Sequence, residues 1–288
     1  MKIKAIHLLL IAVPLALIFE FAGIGNPTMI FLTSALAMIP LAGLLGEATE
    51  EVAVYTGPKI GALLNATLGN AAELIITVVA LRAGLVDVVK ASIAGSIIGN
   101  ILIVLGLSLF LGGLKNGIQR FDARNAGTNA TMLMLAIVAL SVPAIFAIPS
   151  GETSLSRDRI LFLSDAKAFV LIGIYLLYIL WVLRAPASED VDPGHEPHPP
   201  AMRLPVALVI LAVSTIGIVV MSELLVGALE PAAEAWGLSE MFIGVMLVPL
   251  VGNVAEHLVA VQVARQNKME LSLGIAVGSG LQIALFVA

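Results

Sequence analysis

Gly69-Asn70-Ala71-Ala72-Glu73 sets a carboxamide and a carboxylate in the middle of an otherwise apolar run, and the device returns as Gly252-Asn253-Val254-Ala255-Glu256. The two copies align without a gap at a shift of 183 positions. Ile60-Gly61 falls on Ile243-Gly244, Leu64 on Leu247, Arg82 on Arg265 and Gly95-Ser96 on Gly278-Ser279. An ionisable group at membrane depth is costly, so it marks an ion path or a proton relay. Two copies of one polar device in an apolar chain are the pattern of a transporter built from repeats.

Composition places the chain in a membrane. Of its 288 residues 59% are hydrophobic and 12% charged, against roughly 25% charged in soluble domains. Cysteine is absent, which excludes a disulfide framework and a thiolate metal site. The net charge of −5 gives no case for nucleic acid. The 26 glycines and 14 prolines suit interrupted, closely packed membrane helices.

The hydropathy pattern predicts an all-α polytopic membrane protein of about nine transmembrane helices. Lys2 and Lys4 ahead of an apolar run could begin a secretory signal. No small-residue cleavage site follows Glu20, so the run reads as a first spanning helix over about 5–23. A second helix starts near Thr28, carries Glu47, Glu50 and Glu51 on one face, and is stopped by Pro58. That face is either a solvated helix end or an acidic regulatory surface. Helices follow at about 59–81, 87–112, 127–148, 166–184, from 203, at 240–264 and at 270–288. The loop before the helix at 166 holds Arg157-Asp158-Arg159. Residues 185–202 form an acidic, Pro-rich linker in which His195 and His198 read as linker residues rather than metal ligands.

Residues 1–27 are thus a leading helix, 28–184 a first five-helix repeat, and 203–288 a second repeat with three helices. Lys and Arg fall ten against five in favour of a cytoplasmic N-terminus and linker. The polar helices at 59–81 and 240–264 are an odd number of crossings apart, which makes the repeats inverted in topology. The 183-residue offset applied to Arg184 leaves roughly 80 residues, two helices and their loops, missing from the second repeat.

Ala66, Gly69, Asn70, Glu73 and Thr77 share one helix face, and Pro249, Gly252, Asn253, Glu256 and Ala260 the matching one. Pro249 removes a backbone donor and invites a helix break whose freed carbonyls can ligate a cation. Ser92, Gly95, Ser96, Gly99 and Asn100 line one partner helix, and Gly278, Ser279 and Gln282 the other. Carboxylates, carboxamides, hydroxyls and carbonyls are hard oxygen ligands, suited to Ca²⁺, Mg²⁺, Mn²⁺ or Na⁺. Two glutamates supply the charge that balances a divalent ion.

Gly69 to Leu74 together with Gly95-Ser96-Ile97-Ile98-Gly99-Asn100-Ile101-Leu102 resembles the first signature hairpin of the cation/proton exchangers, the CAX family of the Ca²⁺/cation antiporter superfamily. Gly252 to His257, Lys268 to Glu270 and Gly274 to Ala288 resemble the second hairpin. Neither glutamate follows a proline, unlike the pattern of the sodium/calcium exchanger branch; Val254 and Gly280 depart from the commoner small residues. The resemblance implies eleven helices, a leading one and two inverted five-helix repeats, of which the last two are absent here. It implies a Ca²⁺/H⁺ antiporter working by alternating access, with Glu73 and Glu256 binding the metal and exchanging protons. Asn70 and Asn253 complete the site, and Gly69, Gly252, His257, Ser96, Asn100, Ser279 and Gln282 line it. It implies no cofactor, with Ca²⁺ as transported substrate. The partners are Ca²⁺, H⁺ and the lipid bilayer, with a homo-oligomer or a complementing chain as a further partner. The setting is a prokaryotic inner membrane.

A Na⁺-coupled exchanger of the same superfamily, a cation channel and an intramembrane enzyme are the alternatives. A channel has no need of two inverted acid-bearing repeats. His-Glu-x-x-His, Gly-x-Ser-x-Gly and P-loop patterns are all absent, which argues against an enzyme.

Overall fold

The computed structural model describes residues 5–147, 157–184 and 200–287. The linker expected over 185–202 therefore lies outside the described residues except at its last positions, 200–202. A 3-10 stretch, Ala5–Ile11, leads into α1 (Ala12–Phe21). The long α2 (Pro27–Thr56) starts where the Asn26 side chain accepts the Met29 N–H at 2.8 Å, with Pro27 in the first turn. It stops at Gly57, whose φ of 84° is open to glycine and strained for other residues.

The first polar hairpin is α3 (Pro58–Leu68), α4 (Ala71–Arg82), α5 (Val86–Ile98) and α6 (Leu105–Asn116), with a π-helical stretch, Gly99–Val104, joining the last two. Then come α7 (Ala123–Ala147), α8 (Arg157–Arg184), α9 (Leu204–Gly227) and the short α10 (Leu229–Trp236). The second hairpin is α11 (Glu240–Phe242), a π-helical stretch Ile243–Leu247, α12 (Val248–Gly252), α13 (Val254–Arg265) and α14 (Met269–Gln282). It ends in a third π-helical stretch, Ile283–Val287. Among the described residues six helical stretches are long and apolar enough to cross a membrane, and α10 with α11–α12, bent by 111°, would make a seventh.

Two expectations change. The helices expected at 59–81 and 240–264 are each broken at a Gly-Asn pair. Arg157-Asp158-Arg159 opens α8 instead of lying in a loop, which lengthens that helix by two turns and more. The 183-residue spacing also holds between helix ends. Ala71 and Val254 begin α4 and α13, Arg82 and Arg265 end them, and Val86 and Met269 begin α5 and α14. The π-helical stretches after α5 and α14 end at Val104 and Val287. All four pairs keep the 183-residue spacing.

The main packed cluster joins the two halves. Phe31, Met38, Leu41 and Leu45 of α2 meet Ile218, Met221 and Leu225 of α9, with Leu229 and Ala232 of α10. Phe31 meets Trp236 edge to face at 5.4 Å. Lipid tails are as apolar as leucine, so close contact rather than water exclusion holds such helices together. A Cβ at Gly217 would lie 2.9 Å from a Leu41 methyl, so α9 seats against α2 through that glycine. A second cluster packs Leu133 and Ala136 of α7 and Leu171 and Tyr175 of α8 against Val277 and Leu281 of α14. Phe169, Leu177, Val213 and Ile216 remain exposed, as a lipid-facing surface requires.

The acidic group of α2 does not share one environment. Glu50 is exposed and Glu47 half-buried, whereas Glu51 is buried. Glu51 Oε2 accepts the N–H groups of Ala201 and Met202 at 2.9 and 3.2 Å, and the Tyr55 hydroxyl donates to the Met202 carbonyl at 2.8 Å. The end of α2 thus grips the chain just before α9.

Candidate functional site

Each Gly-Asn pair interrupts a helix in the same way. Asn70 has φ −98° and ψ 20°, and Asn253 φ −99° and ψ 4°. An asparagine in this position usually caps the helix that follows by accepting one of its N–H groups. Neither does so here, and both side chains reach across the molecule instead. Asn70 Nδ2 donates to Gln282 Oε1, and Asn70 Oδ1 accepts the Ser279 hydroxyl at 3.0 Å. Asn253 Nδ2 donates to Ser96 Oγ and to the Pro249 carbonyl, both at 3.2 Å.

The network extends through Asn100, whose Nδ2 donates to Ser279 Oγ at 3.1 Å and whose Oδ1 lies 3.2 Å from His257 Nε2. Asn70, Ser96, Asn100, Asn253 and Ser279 are buried, while Gln282, Glu256 and His257 are half-buried. These hydrogen bonds bring Asn70, Ser96, Asn100, Asn253, His257, Ser279 and Gln282 together from the two hairpins. Gly69 lies at the first break and Gly252 at the second. A Cβ at Gly252 would lie 3.3 Å from Glu73 Oε1, so the carboxylate of one hairpin rests against the break of the other.

Glu73 and Glu256 each occupy the third position of a half-helix, α4 and α13. A helix N-terminus carries partial positive charge and favours an anion there. The preceding half-helices, α3 and α12, end at the same breaks and leave carbonyls without an intrahelical donor. Each break thus sets a carboxylate at a helix N-terminus beside the carbonyl end of the preceding half-helix, the donor types that suit a cation.

Buried polar atoms in folded proteins are nearly always paired. Here both carboxylate oxygens of Glu73, Oε2 of Glu256 and Oδ1 of Asn253 are buried without a hydrogen-bond partner. All four atoms can only accept when the carboxylates are ionised. Among the described residues no group of three or more His, Asp and Glu side chains converges, so the charge of the site is that of the glutamate pair. Two features escaped the sequence reading. A Cβ at Gly95 would lie 2.7 Å from the Val245 carbonyl carbon, and one at Gly244 2.9 Å from Ala91 Cβ. The middle of α5 is therefore packed closely against the π-helical stretch that precedes α12. Glycines at both places were visible, but no local pattern shows which backbone they approach.

Known proteins resemble this chain over nearly its whole length. The sequence pattern of the sodium/calcium exchanger protein family matches residues 26–184 and 206–288. A Ca²⁺/H⁺ antiporter of Aphanothece halophytica is 44% identical over 97% of this chain and 78% of its own length. One from Synechocystis sp. is 43% identical over 100% of this chain and 81% of its own. The solved structure of native YfkE superposes with a TM-score of 0.81 at 38% identity, covering 98% of this chain and 79% of that one.

Proposed function

This chain belongs to the sodium/calcium exchanger protein family, and we propose that it is a secondary transporter exchanging Ca²⁺ for H⁺ by alternating access. The observation that carries the reading is the glutamate pair at the two helix breaks, with both carboxylate oxygens of Glu73 and Oε2 of Glu256 buried and without a hydrogen-bond partner. Their combined charge offsets a divalent cation. Asn70, Asn253 and the carbonyls that end α3 and α12 complete its shell. His257, Ser96, Asn100, Ser279 and Gln282 hold the carboxamides in place.

Removing a carboxylate from water favours its protonated form, and a bound divalent cation favours the ionised form. One site therefore takes either Ca²⁺ or protons, and the exclusion of one by the other is the coupling. The Ca²⁺/H⁺ antiporters of Aphanothece and Synechocystis, alike over nearly the whole chain, support protons as the exchanged ion.

In this reading residues 28–184 and 203–288 belong to two repeats of opposite orientation, and the broken helices α3–α4 and α11–α13 each count as one crossing. The 183-residue correspondence of helix ends supports that division. The Lys and Arg distribution supports a cytoplasmic N-terminus in a prokaryotic inner membrane.

The test is Ca²⁺ uptake into proteoliposomes under an imposed pH gradient at zero Na⁺. Uptake should follow the pH gradient and ignore a Na⁺ gradient. A Na⁺ gradient that drives uptake at constant pH would move the chain to Na⁺ coupling.

A further inference from the structure

The α6–α7 connection, residues 117–122, and the α13–α14 turn, residues 266–268, form one surface because the first grips the second. Asn116 Nδ2 donates to the Ala264 and Arg265 carbonyls at 3.1 and 3.2 Å, and Gln119 Nε2 donates to the Ala264 carbonyl at 2.7 Å. Glu270 accepts the Asp122 N–H, and Asp122 Oδ1 accepts the Arg124 N–H at 2.7 Å. The uncharged polar side chains of the connection are thus turned toward the fold.

The outward groups are apolar or cationic. Gly117, at φ 72°, turns the chain out of α6. Ile118 beside it is 94% exposed and Phe121 47%. Residues 115–125 and 264–270 carry five cations, Lys115, Arg120, Arg124, Arg265 and Lys268, all of them exposed. Against these stand two carboxylates, Asp122 and Glu270, both engaged in the bonds just described. The fold does not demand this charge. The repeat-related turn between α4 and α5 has Leu85 in the place of Lys268, packed against the main cluster.

Depth in the bilayer decides what the surface meets. Phe110 and Leu114, one turn apart on α6, are exposed and face lipid. The helix ends two residues later, at Asn116, so the connection leaves it where acyl chains give way to headgroups. Apolar side chains flanked by cations bind there through buried apolar area and attraction to anionic lipid. A soluble acidic partner would leave Ile118 and Phe121 with nothing to bury against.

We propose that this end of the molecule is a docking surface for anionic phospholipid. Ile118 and Phe121 enter the acyl-chain boundary, and Lys115, Arg120 and Arg124 take the lipid phosphates, to which a guanidinium offers paired donors. Asn116 and Gln119 carry the contact inward, since they hold the carbonyls that end α13, the helix with Glu256 in its first turn. Bound lipid therefore steadies that helix, whichever ion is exchanged at its other end.

The experiment titrates the purified, delipidated protein in non-ionic detergent with phosphatidylglycerol and with phosphatidylcholine, counting bound lipid by native mass spectrometry. A cation near an anionic surface strengthens binding by about fivefold. Phosphatidylglycerol should therefore bind at least about tenfold more tightly than phosphatidylcholine. Lys115→Gln/Arg120→Gln/Arg124→Gln should abolish that preference, and Arg82→Gln/Lys90→Gln, at the turn between α4 and α5, should keep it within about twofold. Equal binding of the two lipids, or equal losses from the two sets of substitutions, would overturn the surface. Ile118→Cys gives the chain a single cysteine, and a nitroxide attached there reads depth in phosphatidylglycerol vesicles. Its collisions with dissolved oxygen, which concentrates among acyl chains, should exceed those with a water-soluble nickel chelate. The reverse order would take Ile118 out of the bilayer and the proposal with it.

Discussion

Glu73 and Glu256 face a cost when ionised that either a bound cation or a proton removes, because buried carboxylate oxygens without donors are destabilising in themselves. Each variant Glu73→Gln and Glu256→Gln keeps the shape and deletes one charge. Breaking a buried charge pair costs about 3 kcal/mol or more, so Ca²⁺ affinity should fall by at least about a hundredfold. Insertion and yield should hold. Calorimetric titration of each variant tests this, and near-normal binding by either would remove that residue from the site. Protons compete for the same oxygens, so Ca²⁺ binding must weaken as pH falls. The apparent Kd should rise by about tenfold per pH unit for one displaced proton and about a hundredfold for two, over the range in which the carboxylates protonate. A pH-independent Kd across the working range would contradict shared ligands. These residues were legible because a carboxylate in an apolar run has so few bland explanations, and its repetition at 183 positions leaves fewer. The fully buried hydroxyls of Ser108 and Ser272, which have no hydrogen-bond partner, were not legible. A serine in a membrane helix ordinarily bonds its own backbone, and sequence cannot show that these two decline to.

At the scale of elements, the breaks at Gly69-Asn70 and Gly252-Asn253 do the positioning. Pro249 gave warning of the second; the first has no proline in its preceding turn, and the likeness of the repeats was its clearest signal. The π-helical stretches gave none, since the register of a helix widens in response to what packs against it. The same holds for α10, too short to show a periodic pattern, and for the start of α8, whose charged first turn reads as loop. The tight seam of Gly95 and Gly244 against Val245 and Ala91 closes one side of the site. Alternating access requires that seam to part. Ala91→Cys with Gly244→Cys sets two Cβ atoms 2.9 Å apart. The backbones must ease apart by about 1 Å to reach the roughly 3.8 Å of a disulfide, in a chain with no cysteine of its own. Oxidation should stop Ca²⁺ uptake and reduction restore it. Uptake that continues in fully cross-linked protein, verified by mass, would show that the seam does not open.

The whole molecule is held together across its linker by contacts that lie far apart in sequence. The α2–α9 cluster and the Glu51 latch tie the first half to the second, and the Gln119 and Asn116 amides bind the carbonyls that end α13. Hydropathy showed that the helices exist and gave a division at the linker, but not which faces meet, because helix contacts in a bilayer depend on close fit rather than on apolarity. The latch has a measurable share. Hydrogen bonds to a charged group contribute about 1.5–3 kcal/mol each, and Glu51→Ala removes two of them at the point where the halves join. If residues 1–190 and 191–288 are expressed as separate polypeptides, they should insert and copurify in mild detergent, since the contacts between them do not need a covalent link. Introducing Glu51→Ala into the first piece should weaken their association by at least about tenfold, and Glu51→Gln, which keeps a side-chain oxygen to accept the two N–H groups, should lose clearly less. Equal losses from the two substitutions would mean that the acidic end of α2 acts through its charge alone and not through its grip on Ala201 and Met202.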